Sequence, residues 1–199
     1  ETCHLQPEPS NAIKNFIRAY ALEHGLTFFH PREKHGLLRT MMLRCTQAGD
    51  WMLVIQFYEA PEEAGLNLMQ AVCDAFPEIK SAYYAHNPKP NDSIYDLDLI
   101  LFKGDAFVVE HMPSAMEGGH ALSFRIGPKS FYQTNPEQAH RLYSEALKLA
   151  QIGPEDVVYD LYTGTGTIAL FMAQVAKKVI GVESVPEAIE AAKENAREN

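Results

Sequence analysis

Apolar positions recur at helical spacing over residues 10–24. Ile13, Phe16, Ile17, Tyr20 and Ala21 share one face, and Gly25 suits the residue just past a helix end. Residues 37–45 and 51–58 read as strands joined through Ala48-Gly49-Asp50, a hairpin. Residues 61–76 read as a second helix. Pro61 fits its first turn, Glu62 and Glu63 complement its dipole, and Leu66, Met69, Val72 and Phe76 form the stripe expected to be buried. Three further strands are expected at 81–86, 95–102 and 106–111, the last two flanking the turn pair Gly104-Asp105. A loop over 113–119, rich in Gly and Pro, precedes a strand at 120–127.

From there the pattern alternates. Asn135-Pro136-Glu137-Gln138 opens a helix that runs to about 150: Asn135 can cap, Pro136 fits the first helical position, and Gln138 can reach back to the cap. Val157–Leu161 is a short strand, followed by a glycine-rich turn and a helix at about 166–175. Lys178–Glu183 is another strand, and Ser184-Val185-Pro186-Glu187 predicts a capping box that starts the last helix. Strand, helix, strand, helix is the order of a doubly wound parallel sheet. The expected fold class is therefore α/β: a mixed α+β domain over 1–127, then the first part of a Rossmann-like domain over 128–199. The chain opens on Glu1 and its last helix runs to Asn199 with no finished cap, so the sequence reads as an excised piece that stops mid-domain.

Composition narrows the class. The 199 residues are 46% hydrophobic and 22% charged, ordinary for a globular protein. No apolar run approaches the ~20 residues a spanning helix needs, and no secretory leader is visible at the start. Cys3, Cys45 and Cys73 are few, odd in number and far apart, which argues against a disulfide framework and fits a reducing cytoplasm. The net charge of −9 argues weakly against nucleic acid, but its distribution is uneven. Arg32, Lys34, Arg39 and Arg44 stand against the single acid Glu33 between residues 30 and 45, and Arg125 and Lys129 lie in a stretch without acids. Such clusters are either an RNA-facing surface or a solvated face.

The chemistry concentrates in Asp160-Leu161-Tyr162-Thr163-Gly164-Thr165-Gly166-Thr167, between a strand and a helix. Gly164 and Gly166 permit a tight turn and a close ligand approach. Glu183, at the end of the next strand, is placed to accept hydrogen bonds from both hydroxyls of a ribose. Gly164, Gly166 and Ala169 also match the dinucleotide pattern GxGxxA. Asp160 favours a different ligand. A carboxylate at the strand tip opposes a pyrophosphate, whereas S-adenosylmethionine carries no phosphate and is cationic at its sulfonium and ammonium. A glycine turn without ligand is the plain structural alternative, with Asp160 as an ordinary turn residue.

Ser130-Phe131-Tyr132-Gln133-Thr134-Asn135, the motif from Asp160 to Ile168, Gly181-Val182-Glu183 and the run Ala191-Ala192-Lys193-Glu194-Asn195-Ala196 together resemble the tRNA and rRNA uracil-5-methyltransferases. The resemblance is strong over 120–199 and looser before. It implies a central α+β domain followed by an S-adenosylmethionine-dependent methyltransferase domain. It further implies cofactor contacts from Gln133, Tyr162, Thr167 and Glu183, a pocket shaped by Gly164 and Gly166, and a base-stacking role for Phe131. Plainer roles compete: Phe131 as a core aromatic, Gln133 as a loop amide, Tyr162 packed on the next helix, Thr167 as a helix start. The basic segment at 30–45 becomes a candidate RNA surface.

Some members of the family hold an iron–sulfur cluster through four cysteines, the last at the position of Cys3. A single thiolate cannot hold a cluster that needs four, so the cluster is expected only in a longer protein. The same feature inclines the reading toward rRNA over tRNA. The resemblance also implies covalent catalysis: a Cys thiolate adds to uracil C6, C5 takes the methyl group, and a base removes the C5 proton. In the family both groups follow the cofactor motifs, so residues 1–199 are expected to be inactive alone. A small-molecule methyltransferase and a non-catalytic RNA-binding module that keeps the cofactor fold are the competing readings.

Overall fold

The computed structural model describes residues 2–199. The chain forms two compact units, Glu1–Val108 and Val109–Asn199.

The first unit contains helices α1 (Ser10–Glu23) and α2 (Glu62–Ala75) and strands β1 (Leu38–Cys45), β2 (Trp51–Phe57), β3 (Ile79–His86) and β4 (Ile100–Gly104). The strands form one sheet in sequence order, antiparallel except for β2 and β3, which run parallel with α2 as their crossover. The expected hairpin closes as predicted, with Cys45 opposite Trp51. Gly49 takes φ +88° and donates its N–H to Thr46 O. Gly25 likewise ends α1 at φ +68°, and the following N–H of Leu26 reaches back to Ala21 O at 2.8 Å.

β2 is buried along its whole length, so both faces of the sheet are covered. On one face Trp51, Leu53, Ile55 and Phe57 pack with Ile13, Ile17 and Ala21 of α1 and Leu68, Met69 and Val72 of α2. Leu68, rather than the expected Leu66, completes the α2 stripe; Leu66 is only half-buried. Cys73 and Cys45 both belong to this packing, as their positions on stripe and strand suggest.

The opposite face corrects a sequence expectation. The strand read at 95–102 begins only at Ile100. Residues 87–99 are irregular: side chains hold the backbone of 87–92, and 94–97 form a turn in which Leu97 N–H donates to Ile94 O at 3.2 Å. Asn87 donates to Gln56 Oε1 at 2.6 Å and to Asn91 O, and Gln56 Nε2 donates to Asp92 O at 3.2 Å. Arg39 donates from Nη1 to Asn87 O and Lys89 O, and from Nε and Nη2 to Asp92. Gly104 does turn at φ +83°, yet it does not close a hairpin, since β4 pairs with β3 and the next strand joins a different sheet.

The second unit holds β5 (Val108–Met112) paired with β6 (Leu122–Ile126), then α3 (Pro136–Ala150), β7 (Val157–Leu161), α4 (Thr167–Ala173), β8 (Lys178–Val182) and α5 (Pro186–Glu198). The change of sequence pattern falls at 127/128, whereas the compact units divide at Val108/Val109. The β5–β6 hairpin belongs with the later elements because α4 and α5 pack on β6. β7 and β8 pair in parallel, Asp160 opposite Gly181 and Leu161 opposite Val182, with α4 as the crossover. Phe171 of α4 is fully buried against Tyr143 and His140 of α3. Asn135 caps α3 by accepting from Gln138 N–H at 3.1 Å. The capping box predicted at Ser184 does not form: Val185 occupies the cap without a side-chain bond, and the neighbouring Glu183 takes the amides instead.

Candidate cofactor-binding site

The site is built on the carboxyl end of the β7–β8 pair. After Leu161 the chain leaves β7 through a tight turn with three left-handed positions. Tyr162 sits at φ +63°, Gly164 at +57° and Gly166 at +86°. Each glycine has its own reason. Gly164 has open space where a Cβ would stand. Gly166 faces Ala192 of α5, whose Cβ would lie 3.3 Å from an added Cβ, so its bareness also permits close helix packing. Tyr162 has no such excuse. A non-glycine residue in the left-handed region costs on the order of 1 kcal/mol, and Tyr162 is 89% exposed. It does not pack against the next helix, one of the two roles open from sequence.

Two carboxylates grip the turn. Asp160 Oδ2 accepts from Thr163 Oγ1 at 2.6 Å. Glu183 Oε2 accepts from Gly164 N–H at 3.0 Å, which ties the end of β8 to the turn after β7. Its Oε1 accepts from Ser184 N–H at 2.7 Å and Val185 N–H at 3.0 Å. These amides, Val185 first, then Ser184 and Gly164, hold the Glu183 carboxyl below the usual carboxylate range, so it is ionised at neutral pH. The Gly164 amide, one of those a phosphate would use in a glycine turn, is thereby already engaged by an anion. Thr167 opens α4 in the same turn, half-buried.

Two residues here lie in motifs singled out from the sequence, but their roles do not show there. Gly181 has ordinary φ, but a Cβ there would meet Thr163 Cγ2 at 2.9 Å and Oγ1 at 3.0 Å. It is glycine because the turn crosses directly over β8. Asn195 is fully buried on α5; its Oδ1 accepts from Arg125 N–H at 2.9 Å and its Nδ2 donates to Thr165 O at 3.0 Å. Its sequence signals are its place in the run Ala191–Ala196 and an amide on the inward face of that helix.

The Phe131–Asn135 segment follows β6 in the same unit. Phe131 is 68% exposed, so it is not a core aromatic; Tyr132 beside it is buried against Phe124. Burial, with Glu110 and Tyr143 nearby, pushes the Tyr132 phenol well above its ordinary range, and it stays neutral. Gln133 is exposed. The segment meets the glycine turn where Thr165 Oγ1 approaches Phe131 O at 3.4 Å.

The basic residues divide. Arg32 and Lys34 are exposed on a tight loop closed by His30 N–H to His35 O and Lys34 N–H to His30 O. Arg39 is not a surface cation: its side chain is 3% exposed, its guanidinium lies 4.7 Å from the Phe29 ring centre, and its donors hold the 87–92 backbone. Arg44 is half-buried, and desolvation lowers its pKa. Arg125 is engaged by Glu198 and Glu194 of α5, and Lys129 is half-buried.

Cys3 is partly exposed near the start of the first unit. Backbone N–H groups of Leu5 and then Gln6 pull its thiol below its ordinary value, while burial pushes the Cys73 thiol up. All three cysteines lie in the first unit, none in the unit that carries the glycine turn. Among the described residues no cluster of three or more His, Cys, Asp or Glu could hold a metal ion, and no helix is long and apolar enough to cross a membrane.

No family model matches the chain. An uncharacterized RNA methyltransferase of Bacteroides thetaiotaomicron is 48% identical over 202 residues, covering all of this chain and 43% of that protein. One of Porphyromonas gingivalis is 45% identical over 195 residues, covering 97% of this chain and 40% of that protein. The chain spans less than half the length of these relatives. Among solved structures, a tRNA (uracil-54, C5)-methyltransferase of Pyrococcus abyssi, crystallised with S-adenosyl-L-homocysteine, matches with a TM-score of 0.71 and 25% identity. The match covers 93% of this chain and 43% of that one. The fold is that of a methyltransferase. It is a mixed α+β unit followed by the opening β–α–β–α of a Rossmann-like sheet, as expected from the sequence.

Proposed function

We propose that this chain forms the S-adenosylmethionine-binding start of an RNA methyltransferase, and that the full-length protein methylates C5 of uracil. One observation carries the cofactor reading: Asp160 and Glu183 both bind the glycine turn, and Glu183 takes the Gly164 amide. That cradle is negative and hydrogen-bond-accepting. It suits a cationic nucleoside with free ribose hydroxyls and disfavours a pyrophosphate, which needs those amides and no facing acid. The relatives named as RNA methyltransferases, and the similar fold crystallised with S-adenosyl-L-homocysteine, support the same reading.

In this reading Glu183 accepts from the ribose hydroxyls, Asp160 faces the cationic end of the ligand, and Gly164 and Gly166 let it lie against the backbone. Tyr162 and Thr167 line its flanks and Gln133 reaches it from the loop after β6. Bound there, the cofactor would supply an electrophilic methyl group. Phe131, exposed and beside a buried anchor at Tyr132, offers a stacking face to an unstacked base. In this reading the nucleophilic thiolate and the base that removes the C5 proton come from outside residues 1–199, because in the uracil-5-methyltransferases that the sequence resembles both follow the cofactor motifs. Arg32 and Lys34 are the cations this reading assigns to RNA phosphates; Arg39, Arg44 and Arg125 are left to the fold. An iron–sulfur cluster that includes Cys3 in the full-length protein, and with it an rRNA target, extends the reading.

The test is the product. RNA from cells lacking the gene, separated into rRNA and tRNA, digested to nucleosides and compared with wild type, should contain less 5-methyluridine in the rRNA fraction. Loss from tRNA alone would correct the substrate. Unchanged 5-methyluridine in both fractions would overturn the uracil-C5 assignment.

A further inference from the structure

We infer that Asn195 is a positioning residue that sets the distance between the two halves of the cofactor pocket; this rests on the cofactor reading above. The two halves come from different places in the second unit. Gln133 and Phe131 stand on the loop that β6 feeds directly, whereas Tyr162, Thr167 and Glu183 stand on and around the glycine turn. Asn195 joins them. Its Oδ1 accepts from the Arg125 N–H of β6 at 2.9 Å, and its Nδ2 donates to Thr165 O, in the middle of the turn, at 3.0 Å.

The geometry that allows this is a match of two repeats. Asn195 and Asn199 lie four residues apart on α5, about 6 Å along a helix. Arg125 and Ser123 lie two residues apart on β6, about 6.8 Å along a strand. The two amides therefore meet successive outward-facing backbone groups of β6: Ser123 N–H donates to Asn199 Oδ1 at 2.7 Å, and Asn199 Nδ2 donates to Ser123 O at 2.8 Å. The pair differs in one respect. Asn199 spends its second donor contact on its own helix, at Asn195 O, whereas Asn195 passes its donor on to the turn.

Two more contacts make the connection stiff. Gly166 lets Ala192, one helical turn before Asn195, sit directly on the turn. Thr165, whose carbonyl Asn195 holds, brings its own hydroxyl to Phe131 O. Asn195 is fully buried, so water cannot substitute for either bond. An error in its length or hydrogen-bonding sense moves Gln133 relative to Glu183, and a ligand that touches both is sensitive to that displacement.

The experiment compares Asn195→Asp with Asn199→Asp in the full-length protein. Asn195→Asp keeps the acceptor for Arg125 N–H and places an acceptor against Thr165 O. Asn199→Asp makes the same chemical change on the same helix without touching the turn. Titration with S-adenosyl-L-homocysteine, at a temperature where both variants are folded, should show at least tenfold weaker binding for Asn195→Asp and less than threefold change for Asn199→Asp. In turnover, Asn195→Asp should raise KM for S-adenosylmethionine more than it lowers kcat. A Tm loss with unchanged affinity in Asn195→Asp would make Asn195 merely structural and overturn the inference. If Asn195→Asp does not fold, hydrogen exchange of the wild type decides: the ligand should slow exchange at the Arg125 amide, and no change there would overturn the inference. A wild type that fails to bind the ligand overturns the cofactor reading itself, a result distinct from binding that the substitution leaves untouched.

Discussion

Arg39 and Arg32 are seven residues apart and do opposite work. Arg39 is enclosed by Phe29 and Tyr58 and spends its donors on Asn87 O, Lys89 O and Asp92. Its removal leaves two part-buried carbonyls without this partner and opens the space between Phe29 and Tyr58, so Arg39→Ala should cost about 2–4 kcal/mol of stability by denaturant titration. The double change Arg32→Glu and Lys34→Glu should leave stability within about 0.5 kcal/mol, yet flatten the salt dependence of RNA binding by roughly one to two contacts' worth. Sequence could not separate these arginines, because a cluster of cations looks the same whether its members are solvated or locked. What decides is which carbonyls lie across the fold, and residues 87–92 are some fifty positions away.

Glu183 shows the same limit from the other side. Its place beside the glycine turn was legible from position, but not the three backbone amides it holds before any ligand arrives. Those amides favour its charged form, so its folded pKa lies below its unfolded value. Such a group stabilises the fold above its unfolded pKa of about 4.3, and the stabilisation fades as pH falls through the lower folded value. Wild type minus Glu183→Gln in Tm should therefore be constant from pH 7 to about 5 and shrink below about 4. A difference that instead grows on acidification would mean the carboxylate is not held by these donors.

At the scale of elements, the turn between β7 and α4 is set by what it must clear as much as by what it must bind. Gly181 shows this. Thr163 leans over β8 and is tied by its hydroxyl to Asp160, so it cannot swing away from an added methyl group without losing that bond. Gly181→Ala should cost about 1–3 kcal/mol, and adding Thr163→Ser should recover part of it in a double-mutant cycle. Full additivity of the two changes would contradict the contact. The elements themselves were readable where local chemistry ruled: Gly25 ends α1, Asn135 caps α3, and short apolar runs on either side of the glycine turn gave β7 and β8. They were misread where distant side chains intervened. The first half of the strand expected at 95–102 is replaced by a turn, Leu97 N–H to Ile94 O, that follows the segment 87–92 held by Gln56, Asn87 and Arg39. The capping box at Ser184 lost to Glu183, whose carboxylate takes the Ser184 amide that the box would have used.

At the scale of the whole molecule, the two units differ in how they close. The first buries both faces of its sheet, one under α1 and α2 and the other under residues 87–99. The second leaves Val157, Tyr159 and Leu161 of β7 and Val182 of β8 exposed. That is the condition of a parallel strand pair normally covered on both faces. The order of strands and helices was legible in the sequence because a parallel pair demands a crossover. The division between units at Val108/Val109 was not, because the β5–β6 hairpin reads locally like the sheet before it and is claimed by α4 and α5 only through packing.

The central claim is that the acidic glycine turn holds S-adenosylmethionine, and calorimetric titration of the full-length protein with S-adenosyl-L-homocysteine tests it most directly. Glu183→Ala, verified as folded by circular dichroism, is the companion sample. The account predicts one-to-one binding by the wild type, weakened at least tenfold in Glu183→Ala, and no binding of NADH by either. Binding of NADH in place of S-adenosyl-L-homocysteine, or equal affinity in wild type and variant, would contradict it.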